Sequence, residues 1–364
     1  MLFDDFDPRN GKQLQILNKD GVIVAPELEP KLSPGDLLSI YESMIVARVA
    51  DTKALSLQRS GRMGTFAQIT GQEAQVSVGF TMKKTDWLFP SFRETGVMIA
   101  RGLPLHLFFL VFMGSEEGNR MPVDLKVFPI SVPVGTQTLH AVGAAWAAKI
   151  KDDNIATVTF FGDGATSEGD VHEAMNFAGV MKAPTVFLCQ NNQYAISISR
   201  SKQTASRTLA EKAFAYGFSG MQVDGNDVLA VHVATKAALE HAYKGNGPSF
   251  IEMCTYRMCP HTTSDDPTLY RSDEEVKEWE KKDPIKRFTV YLKKKKVLTD
   301  AKEEAIQKKA EETVSAAVQK AEDIKSKMQP EDIFKYTFAE MPLQLKEQYE
   351  NLKEQNAARG NTNA

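Results

Sequence analysis

The chain has 364 residues, 42 % of them hydrophobic, and a formal net charge of −3. That length accommodates one large α/β domain with extensions, and the charge balance argues against a nucleic-acid partner. Three cysteines, Cys189, Cys254 and Cys259, form neither a CxxC pair nor an even framework, which excludes a disulfide scaffold and points to reduced thiols.

The acidic start, Met1-Leu2-Phe3-Asp4-Asp5, has no apolar signal core and no Arg/Ser-rich presequence character, so a cytoplasmic, prokaryotic protein is expected. Residues 1–31 read as an irregular arm with Pro26 and Pro30. Ser33-Pro34-Gly35-Asp36 opens a helix predicted to run through Asp51, with Leu37, Tyr41, Met44, Ile45 and Arg48 at helical spacing. A second amphipathic helix is predicted over 71–80 and a short strand over 86–90. A buried helix follows over 103–113, an apolar stretch too short to span a membrane. Residues 114–126 read as a polar loop and 137–151 as a small-residue helix suited to close packing.

Residues 155–161 form an apolar β-type run and 168–182 a helix, followed by a second β-type run over 185–190. A polar loop (197–206), a helix (209–216), a strand (221–223), a helix (228–242) and a strand (249–255) complete a mostly parallel sheet with helices on both faces. Residues 258–271 carry Pro, His, Asp and Thr without an apolar period, as a functional loop would. From Asp273 the chain is helical and charged, with Glu and Lys at i, i+4 spacing over 301–328. The Lys293–Lys296 run beside acidic helix reads as a solvated face. The expected organisation is an arm (1–31), an α/β domain (32–272) and a helical C-terminal extension (273–364).

Asp163 ends the first β-type run and Asn192 the second. In a parallel sheet both ends open on one edge, where ligands of α/β folds bind. A carboxylate and an amide oxygen there suit Mg²⁺, which takes further oxygens from phosphate. Gly162 and Gly164 let the backbone approach that phosphate. A dinucleotide fingerprint fails because residue 167 is serine, and an EF-hand fails because Asp163 and Asp170 lack its alternating acids. A helix N-cap is the plain structural role for Asp163.

Gly162-Asp163-Gly164 followed by Asn191-Asn192 resembles the thiamine diphosphate motif. The longer stretches Gly162 to Asp170, Asn176-Phe177-Ala178 and Asn191 to Ser197 are similar to the α subunit of the E1 component of 2-oxo acid dehydrogenase complexes. The similarity runs from about Leu32 to the Lys346-Glu347-Gln348 region and implies the thiamine diphosphate-binding fold. It implies Mg²⁺ held by Asp163, Asn192 and the Tyr194 carbonyl, with Gly162, Gly164, Ala165 and Ile196 around the cofactor. Arg93 matches the diphosphate-binding arginine, which otherwise reads as a surface residue. Phe92 precedes it where the family has tyrosine, so one hydroxyl donor is missing. In Ser131-Val132-Pro133-Val134-Gly135-Thr136-Gln137, Val132 and Val134 would meet the aminopyrimidine ring through the backbone. Ser131, Pro133, Thr136 and Gln137 match positions that hold structural K⁺ in branched-chain members; the same stretch also reads as a plain connection into a helix. His261 matches the active-site histidine that assists acyl transfer to the lipoyl group, and imidazole suits proton transfer near neutral pH. His172, His232 and His241 read as structural or exposed, His106 as core and His140 as packing.

The resemblance further implies that the glutamate acting on the aminopyrimidine comes from a separate β subunit, in an α2β2 heterotetramer. The acyl acceptor would be the E2 lipoyl acyltransferase, with a small 2-oxo acid as substrate and no nucleic acid or membrane involved. Pyruvate is the leading substrate. Asn226-Asp227-Val228 leans toward a branched-chain 2-oxo acid, and Gln348-Tyr349 toward bacterial pyruvate enzymes. A reading of another class, a non-catalytic subunit retaining the fold, sits poorly with intact Arg93, Asp163, Asn192 and His261.

Overall fold

The computed structural model describes residues 2–334 and 337–360. Its centre is a six-stranded, wholly parallel sheet: β1 (Gln13–Leu14), β2 (Trp87–Phe89), β3 (Thr157–Gly162), β4 (Thr185–Asn191), β7 (Gly220–Asp224) and β8 (Ser249–Cys254), in the spatial order β1-β7-β8-β4-β3-β2. A separate antiparallel pair, β5 (Tyr194–Ala195) and β6 (Ile198–Ser199), follows the end of β4. Parallel strands buried on both faces should be apolar without interruption, and every residue of β4 is buried.

The two-residue pleat sorts these side chains into two cores. Val158, Phe160, Val186, Leu188, Ile251 and Met253 face a large cluster with the helices Pro34–Arg59 and Val228–Tyr243. Phe161, Phe187, Cys189 and Phe250 face a smaller one, closed by Thr136–Ile150 and Gly169–Met181. The expected sheet, with helices on both sides, is therefore present. Among the described residues no helix is long and apolar enough to cross a membrane.

Several elements differ from the sequence reading. The arm is not wholly irregular: β1 pairs with β7 through Gln13↔Gln222 and Leu14↔Val223. The first long helix opens with a capping box between Ser33 and Asp36, and runs on to Arg59. Asp51 does not end it, because its carboxylate turns inward to accept the Ile69 and Thr70 N–H groups at 3.0 and 3.1 Å. The 71–80 segment is a 3₁₀ turn, Glu73–Gln75, followed by the helix Val76–Thr81. It is not amphipathic; Gln72, Glu73, Gln75 and Ser77 are all buried. The loop over 114–126 holds two 3₁₀ turns, and 209–216 winds as 3₁₀ rather than α-helix. The short helices Thr95–Ala100 and Arg200–Gln203 had no separate signal. His106 is half-buried rather than in the core. The charged Asp300–Lys325 helix carries an apolar stripe, Ile306, Ala310, Val314, Val318 and Ala321, that joins the large core.

Candidate active site

β3 and β4 are neighbours in register, with Gly162 opposite Gln190, so their C-terminal ends reach the same edge. Beyond β3 the chain turns as a 3₁₀ helix, Asp163–Ser167, and beyond β4 it bends through Asn192 and Gln193 into β5. A cavity of about 270 Å³ opens between them. Gly162 has open space where a Cβ would stand. A Cβ on Gly164 would lie 2.8 Å from that of Ala195, so that position needs glycine.

Arg93, Val134, Gly162, Asp163, Gly164, Ala165, Asn192, Tyr194, Ile196 and His261 line the cavity, and Gln137 does too; Ser131, Val132, Pro133 and Thr136 do not. Asp163 is 2 % exposed, and its Oδ2 is buried without a hydrogen-bond partner. Burial pushes its carboxyl up to about 6. Asn192 faces the same space, its Nδ2 donating to Gln72 Oε1 at 3.3 Å. The Tyr194 carbonyl accepts Arg257 Nη1 at 3.2 Å and keeps a second lone pair. Among the described residues no three His, Cys, Asp or Glu side chains gather as a metal cage. A cation here would thus complete its shell with ligand oxygens, as Mg²⁺ does on phosphate.

Two arginines supply the opposite charge. Arg93 Nη1 donates to the Gln68 carbonyl at 2.6 Å, and its Nη2 to His261 Nδ1 at 3.0 Å. Arg257 Nη1 reaches the same Nδ1 at 3.2 Å. Burial, then the Arg257 charge, lowers Arg93 to about 10. Burial, then these two cations, lowers His261 to about 4. Guanidinium groups only donate, so Nδ1 accepts and the hydrogen of neutral His261 resides on Nε2. Phe92 packs edge-on against that ring at 6.3 Å between centroids. The loop carrying His261 is tied down: Thr263 N donates to the Phe66 carbonyl at 3.2 Å, and Arg271 Nη2 to the Met258 and Cys259 carbonyls.

Within 131–137, Ser131 Oγ donates to the Pro133 carbonyl at 3.2 Å, and Thr136 Oγ1 to Asp170 at 3.3 Å. Gln137 Nε2 donates to the Phe160 carbonyl, leaving its buried Oε1 without a partner.

Several supporting residues escaped the sequence reading. Glu94 accepts Gln190 Nε2 at 2.7 Å and the Arg93 N–H at 3.1 Å, and burial raises it to about 7. Gln75 Nε2 donates to the Arg93 carbonyl and to Gln190 Oε1. Glu73 lies beneath, paired with Arg48. The polar run Gln72-Glu73-Ala74-Gln75 inside a buried segment was the available signal, because buried polar groups need partners.

Residues 41–330 match the model of the dehydrogenase E1 component family. The chain belongs to that family. An E1 α chain from Staphylococcus aureus, named pyruvate dehydrogenase E1 component subunit alpha, is 41 % identical over 345 residues, covering 94 % of this chain and 93 % of its own. A protein of the same name from Acholeplasma laidlawii is 43 % identical, covering 92 % and 98 %. The 3-methyl-2-oxobutanoate dehydrogenase subunit alpha of Mycobacterium tuberculosis is 44 % identical, covering 93 % of each chain. This E1 chain is thus an α subunit of the 2-oxo acid dehydrogenase type, an oxidoreductase. Membership implies use of thiamine diphosphate and work in a complex with a β subunit and E2.

Proposed function

We propose that this E1 α subunit acts in the oxidative decarboxylation of pyruvate and in transfer of the acetyl group to lipoyl-E2. The observation that carries the site assignment is the buried, unpartnered Asp163 Oδ2 facing a cavity that also holds Asn192, Arg93 and Arg257. A hard anionic oxygen beside two guanidinium groups is the complement of a cation–diphosphate pair. Asp163, Asn192 and the Tyr194 carbonyl bind Mg²⁺ in this reading, and Arg93 binds the diphosphate. Gly162, Gly164, Ala165 and Ile196 line its path, and the backbone of Val132 and Val134 meets the aminopyrimidine. The partnerless Gln137 Oε1 supports a K⁺ site with Ser131, Pro133 and Thr136. Thiamine diphosphate, when bound, supplies the nucleophilic carbon and the electron sink for loss of CO₂. His261, fixed by Arg93 and Arg257, presents Nε2–H toward the reacting group and assists acyl transfer.

We read the assembly as α2β2, and an exposed apolar face supports a contact with another subunit: Trp146 and Phe177 lie with ring centroids 5.2 Å apart on the helices Thr136–Ile150 and Gly169–Met181, with Ile150 and Val180 also exposed. Three unpaired cysteines agree with a cytoplasmic setting. A branched-chain 2-oxo acid is the second reading, favoured by the Mycobacterium tuberculosis relative.

The test is reconstitution with the cognate β subunit, lipoyl domain, thiamine diphosphate and Mg²⁺. The chain alone should release no CO₂ from pyruvate. The mixture should turn over pyruvate with a kcat/KM at least about tenfold above that for 3-methyl-2-oxobutanoate, the discrimination that added methyl groups allow. The opposite preference would move the assignment to the branched-chain class. Equal turnover by the isolated chain would overturn the division of the site between subunits.

A further inference from the structure

The edge of the cavity rests on a left-handed residue. Gln193 has φ of +76°, which a non-glycine side chain adopts when its surroundings hold it there. Asn191 provides the hold. Its Oδ1 accepts the Gln193 N–H at 3.2 Å, and its Nδ2 donates to Glu252 Oε1 at 2.7 Å. A carboxylate only accepts and a backbone N–H only donates, so the carboxamide can face one way alone. The other Glu252 oxygen accepts the N–H groups of Leu209 and Ala210 at 2.8 and 3.0 Å. Glu252 is 1 % exposed, and these partners are neutral donors.

A buried carboxylate with neutral hydrogen-bond partners is costly, and the Lys212 ammonium, which donates to Thr166, lies within its electrostatic reach. The pleat sets Glu252 on the same side of β8 as Phe250, the side of Phe161 and Cys189 on β3 and β4. Its charge reaches Asp163, where it adds to the larger effect of burial.

We propose that Glu252 is a positioning residue for the divalent cation: through Asn191 it holds the Gln193 turn that presents Asn192 Oδ1 and the Tyr194 carbonyl beside Asp163. This inference rests on the Mg²⁺ reading above. The competing role for Glu252 is structural, anchoring the turn that begins at Leu209.

Glu252→Gln separates the two roles. Glutamine keeps an acceptor for Leu209 and Ala210 but turns an NH₂ toward the NH₂ of Asn191. If Asn191 flips to meet it, its own NH₂ opposes the Gln193 N–H. The double variant N191D/E252Q repairs this, because the glutamine then donates to Asp while the second Asp oxygen accepts Gln193 N–H. Mn²⁺ affinity is read by electron paramagnetic resonance on the α/β complex with thiamine diphosphate, alongside a thermal melt. The Mn²⁺ Kd should rise about ten- to a hundredfold in E252Q, the usual effect of losing an outer-shell partner, and return to within about threefold in N191D/E252Q. Asn191→Ala removes the same link without touching the Leu209 contacts and should give a similar loss. Wild-type affinity in either single variant, or a double variant no tighter than E252Q, would overturn the proposal. Asp163→Ala serves as the reference. Lost Mn²⁺ there with normal binding in E252Q rejects only the role of Glu252, whereas normal binding in Asp163→Ala rejects the cation site itself.

Discussion

Asp163→Ala will leave the fold intact and raise the Kd for thiamine diphosphate with Mg²⁺ by more than about a hundredfold, beyond the range of outer-shell losses. The carboxylate is the one anionic ligand among the three proposed for the cation, and its Oδ2 has no internal partner to forfeit. The cofactor-free protein should respond in the opposite sense. Burial raises Asp163 from 3.8 to about 6 in the folded state. The folded chain therefore holds this proton more tightly than the unfolded chain. The resulting stability is complete below the unfolded value and is lost as pH rises through about 6, with a ceiling of roughly 3 kcal/mol at neutral pH. Asp163→Asn should accordingly raise the Tm of cofactor-free protein at pH 7.5, and the gain should vanish near pH 4. With Mg²⁺ and cofactor present the order reverses, because an anionic carboxylate gains more from the cation than a neutral amide does. Calorimetric titration and paired melts measure both effects. An unchanged cofactor Kd in Asp163→Ala would remove Asp163 from the site.

His261→Ala will cut acyl transfer to the lipoyl domain by about 10²- to 10³-fold, the span of a lost hydrogen-bond donor to developing charge. Release of CO₂ to an artificial electron acceptor should fall far less. Arg93 and Arg257 both donate to Nδ1, so the imidazole acts through Nε2–H, and with its pKa near 4 it stays neutral across the working range. No inflection near 6.5 should then appear in the pH profile of lipoyl transfer. Equal losses in the two assays would make His261 a general cofactor-site residue, and no loss would take it out of the active site.

What was legible in the sequence was local. Asp163 and Asn192 stand at the ends of apolar runs, so strand order and chain direction alone predict that they meet at one edge. Ser33 with Asp36 announced the first long helix for the same reason. The misses are long-range. Asp51 reads as a helix end until Ile69 and Thr70 are folded against it. Gln72, Glu73 and Gln75 read as the wet side of an amphipathic helix, because their partners Asn192, Arg48 and Gln190 lie far away in sequence. β1 contributes two residues, too few for any alternation to register. Arg257 carries no local mark of the carbonyls at Tyr194 and Ile196 that it spans.

That short first strand also bears on how the protein can be handled. Gln13 and Leu14 cap the outer rim of β7, and the backbone N–H groups of Ile16 and Leu17 both donate to Asp227 Oδ2 at 2.6 Å. A chain trimmed to begin at residue 18 would present the rim of Gly220–Asp224 as open, unsatisfied backbone, a template on which a second molecule can stick. Light scattering should then find the trimmed protein in mixed aggregates at concentrations where the full chain stays dispersed. Two residues of the arm are thus the seal on the sheet.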